Sequence, residues 1–458
     1  MPQLSRRAFL ELAGAGVLCG CSSTANFTGS NSTVIALSDI HFNPFYDPTL
    51  FQSLDASDVS DWKGIFAAST VTAPSLAGAD TNYPLFVLAL DSISKNLGTS
   101  QAVLYTGDLL GHGIAQYYAK YSGSTDSAAI VAFTNKTAAF VMQQIRAAVG
   151  GLPVLFAVGN CDSYTGYGPD STFLANTAEL FYAQFLQGSV DHQAFLSSFN
   201  SGGYYCAEPL GSNLRVISLN TIMCSPLVQS PAGSESTLSA VTAEMAWLDA
   251  QLASAQAAGQ KVWLLMHAPA GADEGTIAKS ISSSGQIASV TMMWVDDYQT
   301  MFMKVLAKYP GVITLTLAGH THMDEYRILS QGNTLEVIPG ISPCFGNNPA
   351  YKIFTYAQNT LLPTDYSVLN YSLLTLPAQF NRYYTFSQAY ALPWDLPDSL
   401  ARLQPLLASD SIKQMLYRSR FFSGNDAKNL ITTANWPVYW GGIEAMTPQD
   451  LINAVDAY

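Results

Sequence analysis

Five short polar motifs, each placed directly after an apolar run rich in β-branched residues, constrain the fold of this chain more than any other feature. The runs are Val34 to Leu37, Ala102 to Thr106, Val154 to Val158, Val262 to Leu265 and Val312 to Ala318. The motifs that stop them are Ser38-Asp39-Ile40-His41, Gly107-Asp108-Leu109-Leu110-Gly111-His112, Gly159-Asn160-Cys161-Asp162, Met266-His267-Ala268-Pro269 and Gly319-His320-Thr321-His322. Each run reads as a buried strand, and a strand that ends in a polar motif delivers it to one rim of a sheet. Five of the six histidines of the chain fall in these motifs. His192 falls outside them and reads as a surface residue. Asp39 and His41, like His320 and His322, are two residues apart, so on an extended segment each pair shares a face.

The side chains form an oxygen- and imidazole-rich set, large enough for two divalent metals sharing one carboxylate. Such a pair suits attack on phosphorus. The 458 residues accommodate one large domain and a smaller one. A formal charge of −13 argues against a nucleic-acid polymer as partner, because its backbone calls for a basic surface. A small phosphate substrate stays compatible, since bound metals reverse the charge locally.

Residues 1–21 read as an export signal. Ser5-Arg6-Arg7-Ala8-Phe9-Leu10 resembles a twin-arginine leader, and Leu18-Cys19-Gly20-Cys21 resembles a bacterial lipobox with Cys21 as the acylated residue. The apolar stretch between them is too short to span a membrane. The expectation is therefore an exported, periplasmic or cell-surface protein held to the membrane through Cys21, with a simple cleaved signal as the other reading. Residues 22–32 are polar and read as a tether. Four further cysteines, Cys161, Cys206, Cys224 and Cys344, have no zinc-finger spacing; a Cys206–Cys224 bridge is open.

Residues 33–378 alternate strands and helices. Phe133 to Val149 and Thr242 to Gln260 show helical spacing, each closed by glycine. Tyr204 to Leu219 and Leu335 to Ile341 read instead as paired strands. The predicted fold is α/β (α+β): a mixed-sheet sandwich flanked by helices. Residues 379–458 read as a small helical subdomain, with helices at Ser399 to Phe422, broken by Pro405, and Thr447 to Ala457.

The ordered motifs resemble the calcineurin-like metallophosphoesterase superfamily. Flanking segments narrow the resemblance to acid sphingomyelinase-like phosphodiesterases: Asp39 to Tyr46, Asn82-Tyr83-Pro84-Leu85-Phe86, Lys261 to His267, Gly203-Tyr204-Tyr205, Ile217 to Asn220, and Ser342-Pro343 with Phe345 to Pro349. The resemblance covers roughly Val34 to Leu373. It implies that Asp39, His41 and His322 hold one metal and Asn160, His267 and His320 a second, with Asp108 bridging. It favours zinc, with manganese or iron as alternatives. It further implies hydrolysis by a metal-bound hydroxide.

The resemblance places one position beside the substrate phosphate and another close to the leaving-group oxygen. His112 stands at the first, as general acid or phosphate binder. Cys161 stands at the other, where many relatives carry histidine, and is a thiolate, a bystander or a disulfide partner. Asp162 is expected to orient a ligand or cap a turn. Tyr164, Tyr167 and Trp294 either wall a cleft or pack. Three functions follow: cleavage of a phospholipid headgroup in phospholipase C fashion, hydrolysis of nucleotides or other soluble phosphoesters, or non-catalytic binding by a surface lipoprotein.

Overall fold

The computed structural model describes residues 30–458 except 212, 229–234, 282–285, 331 and 374. The export signal, Cys21 and residues 22–29 of the tether lie outside the described residues. The five apolar runs are strands, with small shifts at their ends: β1 (Asn31–Leu37), β2 (Ser100–Tyr105), β3 (Val154–Phe156), β6 (Lys261–Leu265) and β7 (Ile313–Ala318). Between and after them come β4 (Tyr205–Ala207), β5 (Leu214–Ser218), β8 (Tyr326–Ser330), β9 (Asn333–Val337), β10 (Ala350–Ala357), β11 (Leu362–Asn370) and β12 (Asn381–Thr385).

The strands form two six-stranded sheets, ordered β12-β11-β10-β1-β2-β3 and β4-β5-β6-β7-β9-β8. Both are mixed. β1, β2 and β3 run parallel, as do β5, β6, β7 and β9, while the outer pairs are antiparallel. The paired strands expected around Tyr204 to Leu219 are β4 and β5, and the segment after Leu335 belongs to the β8–β9 pair.

Alternation along β6 shows why the sheets stack. Trp263 and Leu265 face the other sheet, whereas Val262 and Leu264 face the covering helices, and all four are buried. The Trp263 indole N–H donates across the sandwich to the carbonyl of Leu361 at 3.0 Å, satisfying the one polar atom this ring brings inside. The outer face of the second sheet is covered by Val241, Met245, Leu248 and Leu252 of the helix Glu235–Ala257. On the other side, Phe140, Val141 and Ile145 come from the helix Ser127–Ala148, capped by Asp126. Both helices start earlier than their apolar spacing predicts and stop before left-handed glycines, Gly150 (φ 62°) and Gly259 (φ 68°).

Two local expectations change. Pro405 sits inside the helix Leu396–Ser409 without breaking it. The break comes at Asp410, whose carboxylate accepts from the amides of Ile412 and Lys413 and starts the helix Ser411–Phe421. Cys206 and Cys224 are free thiols, as are Cys161 and Cys344. Cys206 lies in the β4–β5 ladder opposite Ile217, and Cys224 is buried in the short turn Thr221–Cys224 beyond β5. After residue 379 the chain adds β12 to the edge of the first sheet. It then folds back as helices whose Leu400, Leu403, Phe421 and Tyr439 join the same hydrophobic core as Phe140 and Trp263.

Candidate metal centre

The parallel strands of both sheets end at one rim, and the motifs meet there. Asp39 and His41 follow β1, Asp108 follows β2, Asn160 follows β3, His267 follows β6, and His320 and His322 follow β7. The backbone at these residues departs from the extended form that the two-residue spacings suggested. Asp39 (φ 50°), His41 (φ 44°), Asp108 (φ 59°), His320 (φ 74°) and His322 (φ 65°) are all left-handed. A non-glycine residue held so costs on the order of 1–3 kcal/mol, and such strain clusters at working sites. Hydrogen bonds between loops hold it in place: Asp39 N–H to Gly107 O at 2.9 Å, His41 N–H to Asp108 O at 3.0 Å, and Gly319 N–H to His267 O at 2.9 Å.

The side chains converge into two groups that share Asp108. In the first, His41 Nε2 lies 3.1 Å from His322 Nε2 and 3.3 Å from Asp108 Oδ2, and His322 Nε2 lies 3.3 Å from Asp39 Oδ1. In the second, Asn160 Oδ1 lies 3.1 Å from His267 Nε2 and 2.8 Å from His320 Nδ1, and His267 Nε2 lies 3.2 Å from Asp108 Oδ2. Donors about 2.1 Å from a common cation stand roughly 3–3.4 Å apart around it, so both groups fit a divalent ion. The Nδ1 atoms of His267 and His322 donate to the carbonyls of Thr106 (2.7 Å) and Ser342 (3.0 Å), which leaves each Nε2 lone pair aimed inward. Among the described residues, His41 Nδ1 is buried without a hydrogen-bond partner.

Charge in the site is finely divided. Burial would raise the Asp39 carboxyl, but His322, His41 and His267 outweigh it and hold it at about 2. Asp108 is likewise held well below the usual range by His267 and His41, against burial. Burial lowers His41 and His267, yet Asp108 beside them lifts both to about 9. Burial pushes His320 and His322 down to about 4. Two imidazoles thus favour a proton and two disfavour it.

Asp162 binds backbone, as expected. Its carboxylate accepts the amides of Gly159 (2.8 Å), Leu109 (2.9 Å), Asp108 (3.2 Å) and Leu110 (3.3 Å), tying the β2 and β3 loops together. Cys161 is buried beside His41 and His112, and its amide donates to Asp108 Oδ1 at 2.7 Å. His112 stacks on His41 with ring centres 4.3 Å apart. Its partner is Asp80, which accepts from Nδ1 and from the backbone amide, both at 2.8 Å. Asp80 escaped sequence reasoning. It precedes the Asn82 segment that resembles the family, but nothing local ties it to a histidine 32 residues on.

Trp294 is fully buried with its N–H on Ala268 O, and Tyr164 is buried with its hydroxyl on Asn135; both pack rather than wall a cleft. Tyr167 hydrogen-bonds Ser225. His192 is a surface residue paired with Glu179 at 2.9 Å. A cavity of about 430 Å³ opens over His41, Asp108 and His320, and its far wall is made by Phe421, Phe422 and Tyr439.

The sequence profile of the calcineurin-like phosphoesterases matches residues 32–324. The rat cyclic GMP-AMP phosphodiesterase SMPDL3A is 27% identical over 417 residues, covering 85% of this chain and 84% of that protein. Sphingomyelinase phosphodiesterase D of Dictyostelium discoideum is 26% identical over 304 residues, 63% of this chain and 60% of that protein. The alignment therefore spans less than two thirds of the Dictyostelium relative. Among solved structures, a dimetal phosphatase from Danio rerio aligns with a TM-score of 0.42 and 12% identity, over 77% of this chain and 98% of its own. With the matched profile spanning the strands that carry every motif, the chain belongs to the calcineurin-like phosphoesterase family, and relatives it resembles are named phosphodiesterases and sphingomyelinases.

Proposed function

We propose that this protein is a metal-dependent phosphodiesterase acting at the rim where two donor groups share Asp108. That shared carboxylate, set at the mouth of a walled cavity, is the observation that carries the reading. Asp39, His41 and His322 would hold one divalent cation and Asn160, His267 and His320 a second, with Asp108 common to both. Mixed imidazole, carboxylate and amide donors suit zinc, with manganese or iron as alternatives. Such a pair, when bound, supplies an activated water and offsets charge on the phosphoryl oxygens.

His112 serves the leaving alcohol. Asp80 engages Nδ1, so Nε2 is the atom left to give a proton to the departing oxygen. Cys161 takes no part in proton transfer and helps through its amide, which fixes Asp108. Asp162 keeps the two loops in register.

The favoured substrate is a phospholipid headgroup, cleaved in phospholipase C fashion. The cavity offers the Phe421, Phe422 and Tyr439 rings together with Asp273, a lining that suits a cationic alcohol. A second reading, a nucleotide, is favoured by the groove on the other side of His112. There Tyr46, Tyr117 and Phe345 are exposed aromatic rings, the residue type on which bases stack. We also propose export and anchoring through Cys21, on the strength of the leader motifs. No helix among the described residues is long and apolar enough to cross a membrane.

The test uses the full chain, assayed for metal content and for hydrolysis of bis-p-nitrophenyl phosphate and p-nitrophenyl phosphorylcholine. About two metals per chain are expected by the two-group geometry, and His320→Ala should cut kcat/KM by about 10²–10³. Preference for the choline ester supports headgroup cleavage. Undiminished turnover by His320→Ala would overturn the assignment.

A further inference from the structure

Beside the rim lies a second donor cluster that the proposed reaction does not use as a cation site. Asp80, His112 and Cys344 come from three separate loops, and one ligand atom of each lies within 4.8 Å of the others. Asp80 Oδ1 is 2.8 Å from His112 Nδ1. The Cys344 thiol is free and half-buried, and lies 3.8 Å from His322 Nδ1. All three residues line a groove of about 700 Å³ that is separate from the cavity walled by Phe421 and Tyr439. The groove gives a hydrated ion a path to them. His112 and Phe345 border both spaces, so an ion in the groove sits next to the reaction without entering it.

We propose that Asp80, His112 and Cys344 form a third, peripheral cation site, selective for borderline-soft divalent ions such as zinc, whose occupancy inhibits the enzyme. One carboxylate oxygen, one imidazole nitrogen and one sulfur match zinc or cobalt(II) and do not suit magnesium or calcium. Three protein donors leave a fourth position for water. On binding, the sulfur–metal bond replaces the S–H bond, and the thiol proton leaves to solvent. With the ion on Nδ1 in place of a proton, the ring can no longer be a doubly protonated imidazolium, so Nε2 has no readily released proton for the leaving alcohol. The inhibitory half of this inference rests on the role given to His112 above; the binding half does not.

The experiment titrates cobalt(II) into full-chain enzyme already loaded at the central pair, and follows the thiolate-to-cobalt charge-transfer absorption. In parallel, excess zinc is titrated against bis-p-nitrophenyl phosphate hydrolysis. The wild type should develop the band and lose activity as zinc rises. Cys344→Ala should keep its basal turnover, lose the band, and need about 10–100-fold more zinc for the same inhibition. Asp80→Asn, which keeps the thiol, should weaken the band's midpoint in the same direction. A band that persists in Cys344→Ala, or no band in the wild type, overturns the site. Equal zinc sensitivity of wild type and Cys344→Ala overturns its inhibitory role. Should the protein hydrolyse no phosphodiester at all, the proposed activity fails, while the cobalt band still decides whether the site exists.

Discussion

The molecule buries carboxylates in two neighbouring places and neutralises them in opposite ways. Under the rim, every ion pair that Asp39 and Asp108 make among the described residues is with an imidazole. A few residues away, Arg327 bonds Glu274 at 2.6 Å and reaches Glu325 at 3.4 Å, and Lys352 bonds Glu336 at 2.6 Å and Asp324 at 3.0 Å. Here the protein supplies permanent cations of its own. Buried charge is costly unless paired, so the chain supplies a fixed cation in one place and only imidazoles in the other, where the proposed ions would enter. The two regions are joined: Glu325 accepts from the Thr321 hydroxyl at 2.6 Å, bracing the loop between His320 and His322. Glu244 shows a third solution. Its carboxyl accepts the Asn220 amide at 2.6 Å, and burial holds it up at about 8.

Removing a cation the protein owns should have the largest effect. Arg327→Met leaves Glu274 and Glu325 buried and unpaired, and should cost about 3–5 kcal/mol in chemical denaturation. A loss below that of an ordinary surface substitution would mean that this cluster, too, is neutralised from outside. Next comes Asp162→Ala, which frees four amides behind Asp108 and Asn160. Metal affinity by chelator competition should drop about 10–100-fold while the fold stays intact. Unaltered affinity would show that the loops hold the donors without it.

The smallest effect belongs to Glu244. Unfolded, this carboxyl ionises near 4.5; folded, it keeps its proton to about 8. Between these values the folded state binds more protons, so stability present at low pH is lost as pH rises towards 8. Glu244→Gln should flatten that fall, so that stability in urea titrations changes less between pH 5 and pH 8 than it does in the wild type. Parallel pH profiles for the two proteins would exclude a protonated Glu244.

The five strands before the motifs, and the polar residues that gather at their ends, were readable because each motif is a local pattern, an apolar run followed by polar residues. The left-handed backbone at Asp39, His41, Asp108, His320 and His322 was not, since it depends on hydrogen bonds between loops far apart in sequence. Asp80 was hidden for the same reason: its partner His112 is brought to it only by the β1 and β2 loops. Arg327 and Lys352 lie in β8 and β10, and nothing in the neighbouring residues shows that they face inward. The helix through Pro405 misled because one missing N–H is a smaller loss than the core contacts of Leu400, Leu403 and Leu407.

Two glycines at the rim have a last implication. A β-carbon on Gly107 would come within 2.6 Å of His267 Nδ1, and one on Gly340 within 2.6 Å of His322 Nδ1. Main chain is pressed against the back of each imidazole, so neither ring has room to retreat from the position in which it would hold the proposed ion. Stripping and refilling such a protein is then an exchange of parts in a standing frame. A single apo preparation should take up zinc, manganese or iron in turn without passing through an unfolded state.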